Sequence, residues 1–280
     1  MEMMGIIDGI VKRTADNVSS TGNDFIGTDG LIYCGKCGKA KQKRVEIMGN
    51  EIIPFVPCAC ELEKQRQEEE ERRRWQWEQR VLMNRMSCFP DERLMNWTFE
   101  NSDGDEPTLK IMRKYCDSFD EFYRTGKGLI LYGNVGVGKT YAAACVANEL
   151  VDHGREVYMT DFSRIINTLW GLKEGKQKYL DGLQSYDLLI IDDLAAERDT
   201  EYANEIVMSV VDSRCKSGKP LIVTTNLSAE ALMNPDTVQK KRIYSRLCEM
   251  CLPVQCTSTK DRRKKRMSDD MKRYKELLGL

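Results

Sequence analysis

The 280-residue chain contains no run of eighteen apolar residues, so a membrane-crossing helix is not expected. An export signal is not expected either. The stretch Ile6-Ile7-Asp8-Gly9-Ile10-Val11 is short, and Asp8 interrupts it. Net charge is almost absent: 43 Lys and Arg against 44 Asp and Glu leave −1. Any contact with nucleic acid must therefore come from a local basic patch. Histidine is nearly missing. The single His153 precedes Gly154 at the end of a predicted helix and reads as a helix-end residue rather than a base. Cysteine, by contrast, is plentiful. Eleven is an odd number, and without an export signal reduced thiols in a cytoplasm are expected, with a clustered subset as metal ligands.

The most informative segment is Gly133-Asn134-Val135-Gly136-Val137-Gly138-Lys139-Thr140, a full G-x-x-x-x-G-K-[ST] phosphate loop. An apolar strand at 128–132 precedes it and an Ala-rich helix at 141–150 follows, which is the context the motif needs. The glycines let backbone N–H groups turn toward phosphates, and the helix N-terminus adds its own unpaired N–H groups. Lys139 is expected on the β- and γ-phosphates of ATP, and the Thr140 hydroxyl on Mg²⁺.

Further apolar strands are predicted at 156–161, 187–192 and 220–226, alternating with helices at 162–173 and 200–215. This pattern predicts an α/β fold, a parallel sheet covered by helices on both faces. Leu188-Leu189-Ile190-Ile191 ends in Asp192-Asp193, a Walker B pattern. Asp192 is the expected Mg²⁺ residue and Asp193 the carboxylate that polarises the attacking water. Thr224-Thr225-Asn226 closes a strand expected between the phosphate-loop strand and the Walker B strand, from which Asn226 can touch the γ-phosphate or orient the water. Arg246, in Ser245-Arg246-Leu247, is either an arginine finger for a neighbouring subunit or a surface residue. Arg214 is a second candidate for the same edge. The basic run 260–266 can hold a nucleotide-sensing arginine such as Arg262, contact DNA phosphates, or start a solvated helix.

Ahead of this region, Tyr33-Cys34-Gly35-Lys36-Cys37-Gly38 is a zinc-knuckle sequence, and Cys58-Ala59-Cys60 follows about twenty residues on. Four thiolates from Cys34, Cys37, Cys58 and Cys60 suit a structural, tetrahedral Zn²⁺ in a segment with few large apolar side chains. Free thiols and an iron–sulfur cluster are the alternatives. The other seven cysteines read as small core residues. Residues 61–86 lack Gly and Pro and set Glu68, Glu69 and Glu70 four positions before Arg72, Arg73 and Arg74, which predicts one long solvated helix. Trp75 and Trp77 on it are expected to dock on the main domain or on a partner. The division expected is 1–60 partner-binding zinc module, 61–89 charged helical linker, 90–268 ATPase domain and 269–280 helical tail.

Taken together, the motifs resemble the AAA+ ATPases of the bacterial helicase-loader group, DnaC/DnaI-type, with the IstB transposition helpers as close relatives. The resemblance runs over 90–268 and is carried by Trp97-Thr98-Phe99-Glu100, the phosphate loop, Ile190-Ile191-Asp192-Asp193-Leu194, Thr224-Thr225-Asn226-Leu227 and Ser245-Arg246-Leu247. It implies that Asn226 is sensor 1 and Arg246 the arginine finger, and the Asp-Asp form of Walker B is common in that group. Some such loaders also carry an N-terminal zinc module. What it implies for function is loading of a ring-shaped replicative DNA helicase onto single-stranded DNA by a slow, partner-stimulated ATPase. The N-terminal module would bind the helicase, and the ATPase domain would self-associate. Two alternatives stand beside it: an IstB-like transposition helper, and a nucleotide-switched DNA-binding adaptor with little turnover.

Overall fold

A computed structural model describes residues 23–47, 49–102, 106–195 and 200–257, together with 271, 274–275 and 277–279. The stripe of Ile6, Ile7, Ile10 and Val11 and the basic run 260–266, with Arg262, lie outside the described residues. The chain divides into two compact units, residues 1–78 and 79–280.

The first unit is built from two short antiparallel pairs, β1 (Phe25–Ile26) with β2 (Ile32–Tyr33) and β3 (Val45–Ile47) with β4 (Asn50–Ile52). Its buried side chains include Leu31, Cys34, Cys58 and, unusually, Lys41, which is 1% exposed and ion-paired to Asp24 at 2.8 Å. So little apolar surface cannot stabilise forty residues alone. Helix α1 (Ala59–Cys88) begins directly after Cys58 and is exposed along most of its length. The expected Glu–Arg pairs are replaced by Lys64–Glu68 and Arg66–Glu63, and Arg73 donates instead to the Glu69 carbonyl oxygen at 3.4 Å. Such exposed pairs are worth only a few tenths of a kcal/mol, so their exchange costs about as little. Trp75 and Trp77 are exposed.

The second unit holds a five-stranded parallel sheet of β5 (Gly128–Tyr132), β6 (Val157–Asp161), β7 (Leu188–Leu194), β8 (Leu221–Thr225) and β9 (Cys251–Gln255). The spatial order is β6-β7-β8-β5-β9. As expected, β8 lies between the phosphate-loop strand and the Walker B strand. Alternation along each strand divides the core. Leu129, Leu131, Leu188 and Ile190 pack on one face with α2 (Pro107–Asp117), α3 (Phe119–Thr125) and α4 (Lys139–Asp152). Ile130, Leu189, Ile191 and Val223 pack on the other, with α5 (Phe162–Gly171), α7 (Glu201–Ser217) and α9 (Val238–Met250). The polar α6 (Lys176–Ser185) buries only Leu183, and α8 (Ala229–Met233) is a single short turn. Both faces are therefore covered, which is why the strands read as unbroken apolar runs.

Caps fix where several helices start. Asp161 accepts from the Arg164 N–H at 2.7 Å at the head of α5, and Thr200 from Ala203 at 3.2 Å at the head of α7. Helices α2 and α3 were not expected from the sequence. Pro107 opens α2, where a missing N–H costs nothing, and Leu109, Met112 and Tyr115 supply its buried face. Among the described residues no helix is long and apolar enough to cross a membrane.

Candidate nucleotide site and cysteine cluster

The phosphate loop leaves the C-terminal end of β5. Gly133 (φ 144°) lies so close to the residue that follows the neighbouring strand β9 that a Cβ there would lie 2.6 Å from the Cys256 carbonyl oxygen. Gly138 (φ 90°) adopts a left-handed conformation immediately before Lys139, the first residue of α4. Lys139 curls back over the loop and is only 6% exposed. Its Nζ donates to the carbonyl oxygens of Gly133 and Asn134, both at 2.9 Å, and to Asn226 Oδ1 at 2.7 Å. An ammonium can only donate, so the Asn226 amide is oriented with its oxygen toward Lys139. Its Nδ2 then faces Asp193 Oδ1 at 3.5 Å.

The Walker B end of β7 is bulged. Ile191 pairs with Val223 and Leu194 with Thr225, so Asp192 and Asp193 together oppose the single residue Thr224. Asp193 takes φ 54° and Ala195 φ 71°. In a regular strand two neighbouring side chains point to opposite faces. Here the bulge brings both carboxylates to the nucleotide end, close enough to repel. Burial pushes the Asp192 carboxyl above the usual carboxylate range, hydrogen bonds from the hydroxyls of Thr224 and Thr140 oppose that rise, and the Asp193 charge adds to it. A buried carboxylate beside the Thr140 hydroxyl is a set of hard oxygen donors, which fits Mg²⁺. The residues brought together are thus Gly133 to Thr140, Asp192, Asp193 and Asn226.

The two arginines separate. Arg246 lies on α9, 45% exposed, with its guanidinium near Glu249 (2.9 Å) and Asp212 (3.7 Å). Arg214 cannot serve as a finger. It is completely buried, and its guanidinium donates to the carbonyl oxygens of Pro220, Tyr186 and Asp187 at 2.7–3.1 Å. Burial lowers its pKa to about 10. Pro220 and Asp187 precede β8 and β7, so this clip sits at the N-terminal ends of the strands, the end of the sheet opposite the phosphate loop. His153 ends α4, its Nδ1 2.7 Å from the Glu149 carbonyl oxygen. Cys88, Cys145, Cys251 and Cys256 are buried and Cys116 and Cys215 half-buried, as expected, but Cys248 is exposed on α9.

In the first unit the four Sγ atoms of Cys34, Cys37, Cys58 and Cys60 lie within 4.8 Å of one another, and Cys60 is 3.6 Å from both Cys34 and Cys58. A tetrahedral ion with bonds of about 2.3 Å sets sulfurs about 3.8 Å apart, so the cluster fits Zn²⁺. Backbone N–H groups of the knuckle face the thiols. Hydrogen bonds from the backbone of Cys37 and Lys36 lower the Cys34 pKa, and one from Lys39 leads the lowering of Cys37 to about 6. Cys60 moves the other way, to about 12, chiefly through its hydrogen bond with Cys37. Four crowded thiols compete for protons, and a dication removes that competition.

The model of the IstB-like ATP binding proteins matches residues 61–269. The chain belongs to this family. Among curated relatives, this IstB-like protein is 28% identical over 193 residues to the replicative helicase loader DnaI of Bacillus subtilis, covering 63% of this chain and 61% of that one. It is 28% identical over 152 residues to the replicative helicase loader DnaC of Buchnera aphidicola from Schizaphis graminum, covering 51% and 61%. It thus spans about three fifths of the curated relatives it matches. Of solved structures, DnaI superposes with a TM-score of 0.53 at 22% identity (61% of this chain, 96% of that one). The DnaC helicase loader gives 0.50 at 24% (60% and 100%). These likenesses show the fold, a parallel α/β sheet with helices on both faces, as the strand and helix pattern implied.

Thr224 was missed by sequence reasoning. A hydroxyl inside an otherwise apolar strand, one strand over from a pair of carboxylates, is the signal that could have found it.

Proposed function

We propose that this IstB-like protein is an ATP-hydrolysing switch that loads a replicative DNA helicase onto single-stranded DNA in the cytoplasm. The observation that carries the reading is the chain from Lys139 through Asn226 to Asp193, which ties the phosphate loop, the neighbouring strand and the Walker B pair into one constellation. Loop N–H groups and Lys139 would hold the ATP phosphates, and Thr140 and Asp192 the Mg²⁺, whose charge offsets that of the phosphates. Asp193 and Asn226 would orient and polarise the attacking water, leaving the transferring phosphoryl group to electrostatic stabilisation. Arg246, exposed on α9, would complete the site of a neighbouring copy, which makes hydrolysis slow until copies or partners assemble. Cys34, Cys37, Cys58 and Cys60 would hold a structural Zn²⁺ in the helicase-binding module.

Lys139→Ala is expected to weaken Mg·ATP binding about 30- to 100-fold, the loss of roughly 2–3 kcal/mol of charge-assisted hydrogen bonding. Unchanged affinity would sink the nucleotide reading. The names of the curated relatives favour the helicase as partner, and the matched family model favours a second reading, a transposition helper on duplex DNA. Capture of the host replicative helicase by the full-length protein supports the first. Capture of a transposase with no helicase supports the second.

A further inference from the structure

Thr224 is fully buried, and its Oγ1 lies 2.6 Å from Asp192 Oδ1 and 2.9 Å from the Asp193 nitrogen. The direction of both bonds is fixed by chemistry. A backbone N–H can only donate, so Asp193 occupies a lone pair of Oγ1, and the one hydroxyl proton must go to Asp192. The result is a polarised chain, Asp193 N–H to Thr224 O–H to the Asp192 carboxylate, in which each bond strengthens the next. It ties down the two residues of the bulge at once. Asp193 holds a left-handed φ that costs an ordinary residue about 1–2 kcal/mol, so its backbone needs such an anchor. The next residue grips the far side of the bulge: Thr225 Oγ1 donates to the Leu194 carbonyl oxygen at 2.9 Å and accepts from the Leu227 N–H at 3.2 Å.

We infer that Thr224 is a positioning residue for the Walker B pair, whose hydroxyl keeps Asp192 an acceptor at Oδ1, aims its other oxygen at the metal and fixes the backbone that presents Asp193. This rests on the reading of the site as an ATPase. Among the described residues, Thr224 is the one that opposes both bulge residues across the ladder and bonds to each of them, whereas the Thr140 hydroxyl reaches Asp192 only.

The test compares Thr224→Val, which keeps the shape and loses the hydroxyl, with Thr224→Ser, which keeps the hydroxyl. ATP affinity is measured with Mg²⁺ and with EDTA, beside single-turnover hydrolysis and thermal unfolding. Thr224→Val is expected to lose about ten-fold or more of the Mg²⁺-dependent gain in affinity and of the hydrolysis rate, the size of one hydrogen bond to a charged group. Affinity in EDTA should stay within about two-fold, and Thr224→Ser should return both readouts toward wild type. Wild-type Mg²⁺ dependence and rate in Thr224→Val overturn the inference. So does a serine variant as impaired as the valine, which would assign the effect to packing of the methyl group. If thermal unfolding shows that valine disrupts β8, Thr224→Ala against Thr224→Ser makes the same comparison. A wild-type protein that binds Mg·ATP without hydrolysing it would remove the ATPase reading, and the Mg²⁺ arm would still decide on Thr224.

Discussion

The sheet unit and the cysteine module stabilise themselves by opposite means. In the sheet, Ile130, Ile190, Ile191 and Val223 are wholly buried, each one of many apolar neighbours, and removing any one leaves the rest. Among the described residues of the module the buried set is Leu31, Cys34, Cys58 and Lys41. The difference teaches where each unit is vulnerable. One distributes its stability over dozens of small contacts, and the other concentrates it in four sulfurs and one ion pair.

The largest expected effect follows from that concentration. Cys58→Ser, or chelation of the wild-type protein, should reduce bound zinc from one equivalent to none and remove a term of about 10 kcal/mol or more from the module. Hydrogen exchange should then lose protection over residues 23–58 while the amides of β5, β7 and β8 keep theirs. Equal loss in the sheet would break the comparison, because the two regions would then be one cooperative unit.

A smaller cut tests the same idea without touching a ligand. Lys41→Met leaves the Asp24 carboxylate without its ammonium partner at 2.8 Å. Asp24 also accepts from the Gly35 N–H at 3.3 Å, at the turn of the knuckle. Breaking a buried pair by removing one partner costs about 3–5 kcal/mol. Asp24 keeps 12% exposure, so the low end of that range applies. Zinc should dissociate faster from the variant, and an unchanged dissociation rate would show that the pair lies outside what holds the module.

The contrast also explains what could be read in advance. The phosphate loop, the Walker B aspartates, Asn226 and the four cysteines are legible because their chemistry is local, a fixed spacing of glycines, carboxylates or thiols. The order of β8 between β7 and β5 followed from the motif series. The bulge did not, because it is a mismatch between two strands far apart in sequence, and nothing in Asp192-Asp193 alone reveals it. Arg214 misled for a related reason. A charged residue on a helix reads as exposed, and only the carbonyl oxygens gathered from the strand entrances make its burial tolerable. Helix α6 was missed because it has one buried residue, too few to set a period.

Within the sheet, Ile190→Ala deletes a fully buried side chain on the strand that carries the two aspartates. The expected cost is about 2–5 kcal/mol, transfer plus cavity. Because packing is distributed, the variant should still fold, with a lower unfolding midpoint and near-native Mg·ATP affinity at low temperature. Failure to fold would show that the sheet is as brittle as the module.

The smallest effect runs in the opposite direction. Asp192 is a charged group that burial disfavours, so its pKa in the folded protein lies above the ordinary 3.8. The folded state then binds its proton more tightly than the unfolded chain does. The ionised carboxylate consequently weakens the apoprotein at every pH above the folded-state pKa, and the penalty vanishes below 3.8. Asp192→Asn should therefore raise the unfolding midpoint at pH 7, while losing Mg²⁺-dependent ATP binding. The rise is a few degrees at most, since about 1 kcal/mol moves a domain of this size by about 2–4 °C. The gain should shrink as pH falls through the raised folded-state pKa, because the wild-type carboxyl takes up its proton there, and it should be gone below 3.8. A destabilised Asn variant at pH 7 would mean that the Thr140 and Thr224 hydroxyls compensate the buried charge in full. The site would then resemble the module's Lys41–Asp24 pair, a buried charge held by specific partners, more than the apolar sheet that carries it.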